Sequence, residues 1–293
     1  MRCFDKIHPI VEFLYFLIVI VVTAFTLNPI IACASFIFAV IFCAIYVGVK
    51  NVLKSLACAL PLMIVVALVN PLFVHKGETI LFFLNDNPVT KEAIVYGVVS
   101  SVTIAAVYYW CKAYNQIVTS DKFIYLFGRV SPKLSLLLSL TIAFVPKLKR
   151  KYLEIDEAQK TLGIYSSGGF VDKIASKFRV LSALLTDSLE SSVMTADSMH
   201  ARGYGLRGRT SFSPFVFGKS DAVSLVAVLL SGVVSIVLLA LGIGSFVYYP
   251  TMSAFSFGAA DIALYGLTAF VFALPSILEL EEEMRWVYLK SKI

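Results

Sequence analysis

The chain has 293 residues, 59% of them hydrophobic and only 15% charged, with a mean hydropathy of +0.85. Soluble domains carry about 25% charged residues, so this composition excludes a water-soluble globule: a bilayer must solvate so much apolar side chain. The net charge of +6 does not point to nucleic acid, because most basic residues flank apolar runs, where membrane orientation accounts for them.

The first apolar run passes straight into a second, with no small-residue cleavage site, which speaks against a cleaved signal peptide. From Glu12 to Lys50 there is no charge between the two ends, and Asn28-Pro29 interrupts the middle, so two spanning helices joined by a tight turn are expected. Ser55 to Val74 is a third charge-free run, ending at Asn70-Pro71, and Ala93 to Cys111 is a fourth. In the fourth, Gly97, Ser101 and Ala105 recur every four residues, which lets another helix approach closely. That helix can belong to the same bundle or to a second membrane protein. Cys33, Cys43, Cys58 and Cys111 lie in or beside apolar runs, Cys3 near the start, and no C-x-x-C pair is present, so neither disulfide nor metal is implied.

Residues 147–210 hold 18 of the 44 charged residues. Ser131-Pro132 is a helix start, with serine as cap and proline in the first turn. The helix runs to Pro146 and the basic cluster Lys147, Lys149, Arg150 and Lys151, a candidate anchor for anionic headgroups. Beyond it, Tyr152, Ile155, Ala158, Leu162 and Tyr165 form an apolar stripe, with Glu154, Asp156, Glu157 and Lys160 turned away. Gly163 and the Ser166–Gly169 segment end that helix. Leu181, Leu185, Leu189, Val193, Ala196 and Met199 mark the apolar face of the next, with Asp187, Glu190 and Asp197 opposite; Gly203 and Gly205 stop it just after Arg202.

Between Asp221 and Asp261 an apolar run resumes, closed by Gly242, Gly244 and Pro250, and Asp261 to Leu278 supplies a sixth span. The Glu279, Glu281, Glu282 and Glu283 run reads as a solvated helix end, with Trp286 and Tyr288 suited to headgroups. Both termini are expected in the cytoplasm, because that orientation leaves only Lys76 and Lys91 outside, 23 of the 25 basic residues being inside. The expected fold is an all-α polytopic membrane protein of about six transmembrane helices. Its regions are an N-terminal four-helix membrane region (1–119), a cytoplasmic or interfacial coupling-helix domain (120–219), and C-terminal membrane helices with a tail (220–293).

Several residues together resemble the transmembrane T component of energy-coupling factor transporters, the EcfT/CbiQ family of vitamin and cobalt or nickel importers. They are His8-Pro9, Asn70-Pro71-Leu72-Phe73 followed by His75 and Gly77, Ser131–Ser135 through Phe144-Val145-Pro146, and Met199-His200-Ala201-Arg202-Gly203-Tyr204-Gly205. The resemblance covers nearly the whole chain. It implies that two Ala-Arg-Gly-type signatures end coupling helices and dock into grooves on two ABC-type ATPase subunits. The second signature is Ala201, Arg202 and Gly203. The first aligns with Ala158, Gln159, Leu162 and Gly163, where Leu162 stands in place of the usual arginine and cannot make its charge-assisted hydrogen bond. The resemblance also implies a small substrate-binding membrane subunit (S component), against which Gly97, Ser101 and Ala105 are candidate packing residues. It further implies a prokaryotic cell membrane and ATP hydrolysis on the partners rather than here, and neither a cofactor nor a metal site is expected.

Other motifs fail. Gly203-x-Gly205-x-x-Gly208 follows a helix where a dinucleotide fingerprint needs a strand, and no P-loop sequence is present. His8, His75 and His200 lack ligand spacing. Ionisable groups are nearly absent from the middle of the spans, which disfavours an ion-coupled carrier and an intramembrane enzyme. A self-contained permease is the alternative function.

Overall fold

The computed structural model describes residues 7–74, 76–84, 87–163, 169–206, 215–255 and 257–290. His75, Tyr165, the Ser166–Gly168 turn, Arg207, Gly208, Arg209 and Cys3, all singled out above, lie outside these. Among the described residues the chain forms nine helices and one two-stranded hairpin. It divides into two compact units, residues 1–123 with 215–293, and residues 124–214.

The first unit holds α1 (Pro9–Phe25), α2 (Pro29–Val47), α3 (Val49–Phe73), the hairpin β1 (Ile80–Leu84) and β2 (Asn87–Thr90), and α4 (Lys91–Ile117). Helix α5 (Ser120–Val130) begins in it, and α8 (Lys219–Ala240) and α9 (Ala259–Lys290) complete it. Five helices, α2, α3, α4, α8 and α9, are long and apolar enough to cross a bilayer. The sixth expected span, α1, has 17 residues, at the short limit of the roughly 17–25 that a bilayer requires. The chain is a multi-pass α-helical membrane protein.

The turn expected at Asn28-Pro29 is built by Asn28. Its side-chain oxygen accepts from the Ile30 N–H at 2.9 Å, capping α2. Its amide donates to the Gly244 carbonyl at 2.9 Å and to the Tyr265 hydroxyl at 3.0 Å, joining α2 to the loop and helix that follow α8. Pro61 and Pro71 sit inside α3 without ending it, so the third span continues past Asn70-Pro71 to Phe73. The 80–90 hairpin was not expected: its strands are too short for alternation to register, and the pairing of Ile80 with Thr90 through Leu84 with Asn87 is a tertiary choice.

The core of this unit centres on Trp110, fully buried among Tyr15, Phe16, Phe42 and Phe272. Its ring stacks on Phe42 at 6.1 Å and 29°, and its indole N–H donates to Ser35 Oγ at 3.0 Å. Lipid is as apolar as leucine, so shape complementarity and satisfied polar atoms, rather than expulsion of water, hold such helices together. Ala32, Ala39, Ala105, Ala106 and Ala113, all buried, let the backbones approach. By contrast α3 exposes Leu60, Leu62, Ile64, Val65, Leu68 and Val69, a face for lipid or a partner. Beyond α8, Tyr248 is buried against Tyr96 and donates to the Leu27 carbonyl at 2.6 Å; burial pushes its phenol well above the ordinary range.

Helices α6 (Pro132–Thr161) and α7 (Phe170–Ala201) lie in the second unit. Helix α6 starts at Ser131-Pro132 as expected, with Ser131 at the cap position but making no side-chain cap bond, and it is continuous through Pro146. The two helices run antiparallel, joined by Lys147 Nζ donating to Ser191 Oγ at 2.6 Å, Lys151 to Asp187 at 3.4 Å, and Lys177 Nζ donating to the Tyr152 hydroxyl at 2.9 Å. Asp156 is buried, between Lys160 at 2.7 Å and Lys177 at 3.9 Å. Both aspartates therefore lie on the helix–helix faces: Asp156 sits beside Tyr152 of the stripe it was expected to avoid, while Asp187 lies away from the exposed leucines of α7, as the periodicity suggested. The reason is charge: the long α6 and α7 lysines find carboxylates across the pair. Lys147 and Lys151 are thereby engaged with α7.

Candidate functional site

The two signature segments end the two long helices in the same way. In α6, Leu162 caps the last turn in the right-handed region (φ −73°, ψ −1°) and Gly163 follows with φ +73°. In α7, Arg202 caps at φ −81°, ψ 6°, and Gly203 follows with φ +75°. The Gly163 N–H donates to the Lys160 carbonyl at 3.0 Å, and the Gly203 N–H to the His200 carbonyl at 2.9 Å. The Tyr204 N–H closes the second stop on Met199 at 2.9 Å, the double bond pattern that ends a helix on a left-handed glycine. Helix α8 stops similarly at Leu241 and Gly242, so the motif by itself is a helix stop. All three stops leave the cap residue exposed, Leu162 at 75% and Leu241 at 71%, with Arg202 exposed as well, so the first two differ from the third in lying on α6 and α7 of one hairpin and in carrying the signature residues.

At the α6 end, Ala158 is exposed and its carbonyl accepts from the Leu162 N–H at 3.2 Å and from Thr161 Oγ1 at 2.8 Å. Gln159 is half-buried and its Oε1 has no hydrogen-bond partner among the described residues. At the α7 end, Ala201 closes the helix and an added Cβ on Gly203 would come within 3.0 Å of Leu206 Cδ1. The structure does not bring the two signatures together. Lys177 of α7 meets the α6 residues Tyr152 and Asp156, and Arg202 lies about 37 Å further along α7 at 1.5 Å per residue.

The outward face of α7 is the second feature. Val171, Ile174, Phe178, Leu181, Leu185, Leu189 and Val193 are exposed, while Ser176 and Val180 are buried. The leucine stripe read from the sequence therefore faces away from α6, since small and polar residues fill the contact between the helices. An apolar surface this long is a place for a partner or for lipid.

Gly97, Ser101 and Ala105 are all buried or nearly so in α4. A Cβ on Gly97 would lie 2.7 Å from the Ala67 carbonyl oxygen and 3.2 Å from Asn70 Cβ, so the helix that approaches here is α3 of the same chain. Ser101 and Ala105 line a shallow apolar groove with Cys58, Ala59 and Leu62 of α3.

Sequence reasoning missed a buried ion pair. Lys122 Nζ lies 2.8 Å and 3.0 Å from the two oxygens of Glu12, whose side chain is fully buried. The partners are 110 positions apart, so no local spacing could reveal them. His8, singled out only for its sequence, caps α1: its Nδ1 accepts from the Ile10 N–H at 3.3 Å.

Comparison with known proteins fits this arrangement. Residues 5–212, well over half of the chain, match the family described as cobalt transport protein, CbiQ. Curated relatives are similar over shorter stretches. The "Energy-coupling factor transporter transmembrane protein EcfT" of Streptococcus thermophilus is 33% identical over 104 residues, 35% of this chain and 39% of the relative. The protein of that name from Lactobacillus helveticus is 32% identical over 95 residues, 32% of this chain and 34% of the relative, and that from Listeria innocua 33% over 103, 34% and 39%. The matched stretches thus span under two fifths of each relative's length. Because the family match runs from the start of α1 through both signature tips, the chain belongs to the CbiQ cobalt transport protein family.

Proposed function

We propose that this protein is the transmembrane coupling subunit, the T component, of an energy-coupling factor importer, taking up a vitamin or a transition-metal ion into a prokaryotic cell across its plasma membrane. The exposed ends of α6 and α7 each dock into a groove on one of two ABC-type ATPase subunits, with both termini in the cytoplasm. The observation that carries this reading is the pair of equivalent helix stops presenting Leu162 and Arg202 at the far ends of one antiparallel hairpin. The names of the relatives and the family support it. A guanidinium on a helix cap offers a rigid fork for a groove carboxylate, and the glycine after it lets backbone approach backbone. Leu162 keeps the same cap but offers only an apolar plug, so the two ATPase contacts differ in chemistry. ATP hydrolysis belongs to those partners. The exposed α7 stripe and the α3 face seated by Gly97, Ser101 and Ala105 are the surfaces for a small substrate-binding membrane subunit.

The test is purification from membranes after co-expression with adjacent ABC-type ATPases and a small hydrophobic membrane protein. The tagged chain is expected to bring down two ATPase subunits and the membrane partner. Arg202→Glu is expected to abolish ATP-driven uptake while leaving membrane insertion intact, and Arg202→Lys to be intermediate because the charge stays and the fork is lost. Solute movement by the purified chain alone in liposomes would replace this reading with a permease.

A further inference from the structure

Within the membrane unit, the residues just before the chain leaves for α6–α7 and just after it returns are held by a single turn, the first of α1. The chain leaves the first unit after Phe123 and re-enters it at Phe215. Lys122, the penultimate residue before that exit, makes the buried ion pair with Glu12 in the first turn of α1. On the returning side, Phe217 packs edge-on against the His8 ring at 5.1 Å. Asp221, in the first turn of α8, accepts from the His8 backbone N–H at 3.2 Å through Oδ1 and from the Gly218 N–H at 2.9 Å through Oδ2. His8 is the cap of α1, and Pro9 fixes its first turn. Both connections between the units are thus fastened to residues 8–12, by contacts that lie wholly within the first unit.

The chemistry of the fastenings differs. The outgoing one is an ion pair in which the Glu12 side chain is fully excluded from solvent and Lys122 nearly so. Such a pair contributes little net stability but cannot lose one member cheaply, because the other charge is left buried without compensation. It therefore resists slipping, as a fixed joint must. The returning one combines a helix-cap carboxylate and a ring contact. Both are local to a helix start, and they orient α8 without burying a charge.

We propose that the first turn of α1 is a clasp through which displacement of the α6–α7 unit reaches the membrane helices, with Glu12 the positioning residue for the outgoing connection and His8 for the returning one. This rests on the coupling function proposed above. In a background without native cysteines, spin labels at Leu17 on α1 and Asp121 on α5 report the joint in the chain alone. Labels at Leu17 and Leu68 report the membrane helices in the assembly with its ATPases, before and after trapping with magnesium ATP and vanadate. Glu12→Gln, which keeps the size and hydrogen bonding of the side chain, and Lys122→Met are expected to broaden the first distance distribution. Both are also expected to abolish the nucleotide-dependent shift of the second, with ATPase recruitment unchanged. The reciprocal pair Glu12→Lys with Lys122→Glu is expected to restore both. A distribution as narrow as wild type in both single variants would overturn the clasp. So would a wild-type nucleotide shift in variants whose first distribution has broadened, since the pair would then be structural only. A wild-type chain that recruits no ATPase would sink the coupling function, while the label pair on the chain alone still judges the joint.

Discussion

The membrane unit and the α6–α7 hairpin solve the same problem, holding long helices together, by opposite means. In the first, large rings converge on Trp110 and small residues bring backbones close. In the second, Asp156, Ser176 and Val180 are buried amid exposed leucines and phenylalanines, and the cross-links are lysine pairs. A packed core fixes one arrangement because every void or overlap costs energy. A hairpin stitched by half-exposed charges keeps its apolar face unspent, and that face is what a partner can use. The comparison teaches that exposure of the Leu181–Val193 stripe is a consequence of which residues were given to the α6 contact.

Five substitutions would break or sharpen that contrast. Trp110→Ala is expected to cost about 3–5 kcal/mol, read as a lowered thermal midpoint in detergent, because it removes the ring around which four helices pack. An unaltered midpoint would mean that the membrane unit is not core-packed. Gly203→Ala comes next, at about 1–2 kcal/mol for forcing a side chain to φ +75°, visible as faster hydrogen exchange in the last turn of α7. Gly163→Ala should cost less overall, since open space surrounds it and only the backbone term remains. Lys151→Ala is smaller again, about 0.2–1 kcal/mol, because both it and Asp187 are 42% exposed and water screens the pair. Phe178→Ala should leave the stability of the isolated chain within about 0.5 kcal/mol yet weaken co-purification of the membrane partner. Loss of stability there would show that the stripe is internal core after all.

Much of the fold was legible because hydropathy and helix punctuation are local. The charge-free runs gave α2, α3, α4, α8 and α9, Asn28-Pro29 marked the turn, and Gly163, Gly203 and Gly242 marked the helix stops. Of the candidate site, the residues of both signatures were legible, including the leucine at the first. Their shared cap geometry was not, since the sequences differ at that very position. Periodicity also misassigned Asp156, because an apolar stripe says which side chains share a face but not which neighbour covers it.

Composition and residue order by themselves determined that this is a helical membrane protein with a charged middle third, since the bilayer admits only segments whose backbone is satisfied internally. Tertiary structure decided which stripe faces which helix, that Gly97 seats α3, and that Glu12 meets Lys122. Those outcomes depend on contacts between residues distant along the chain, which no local pattern encodes.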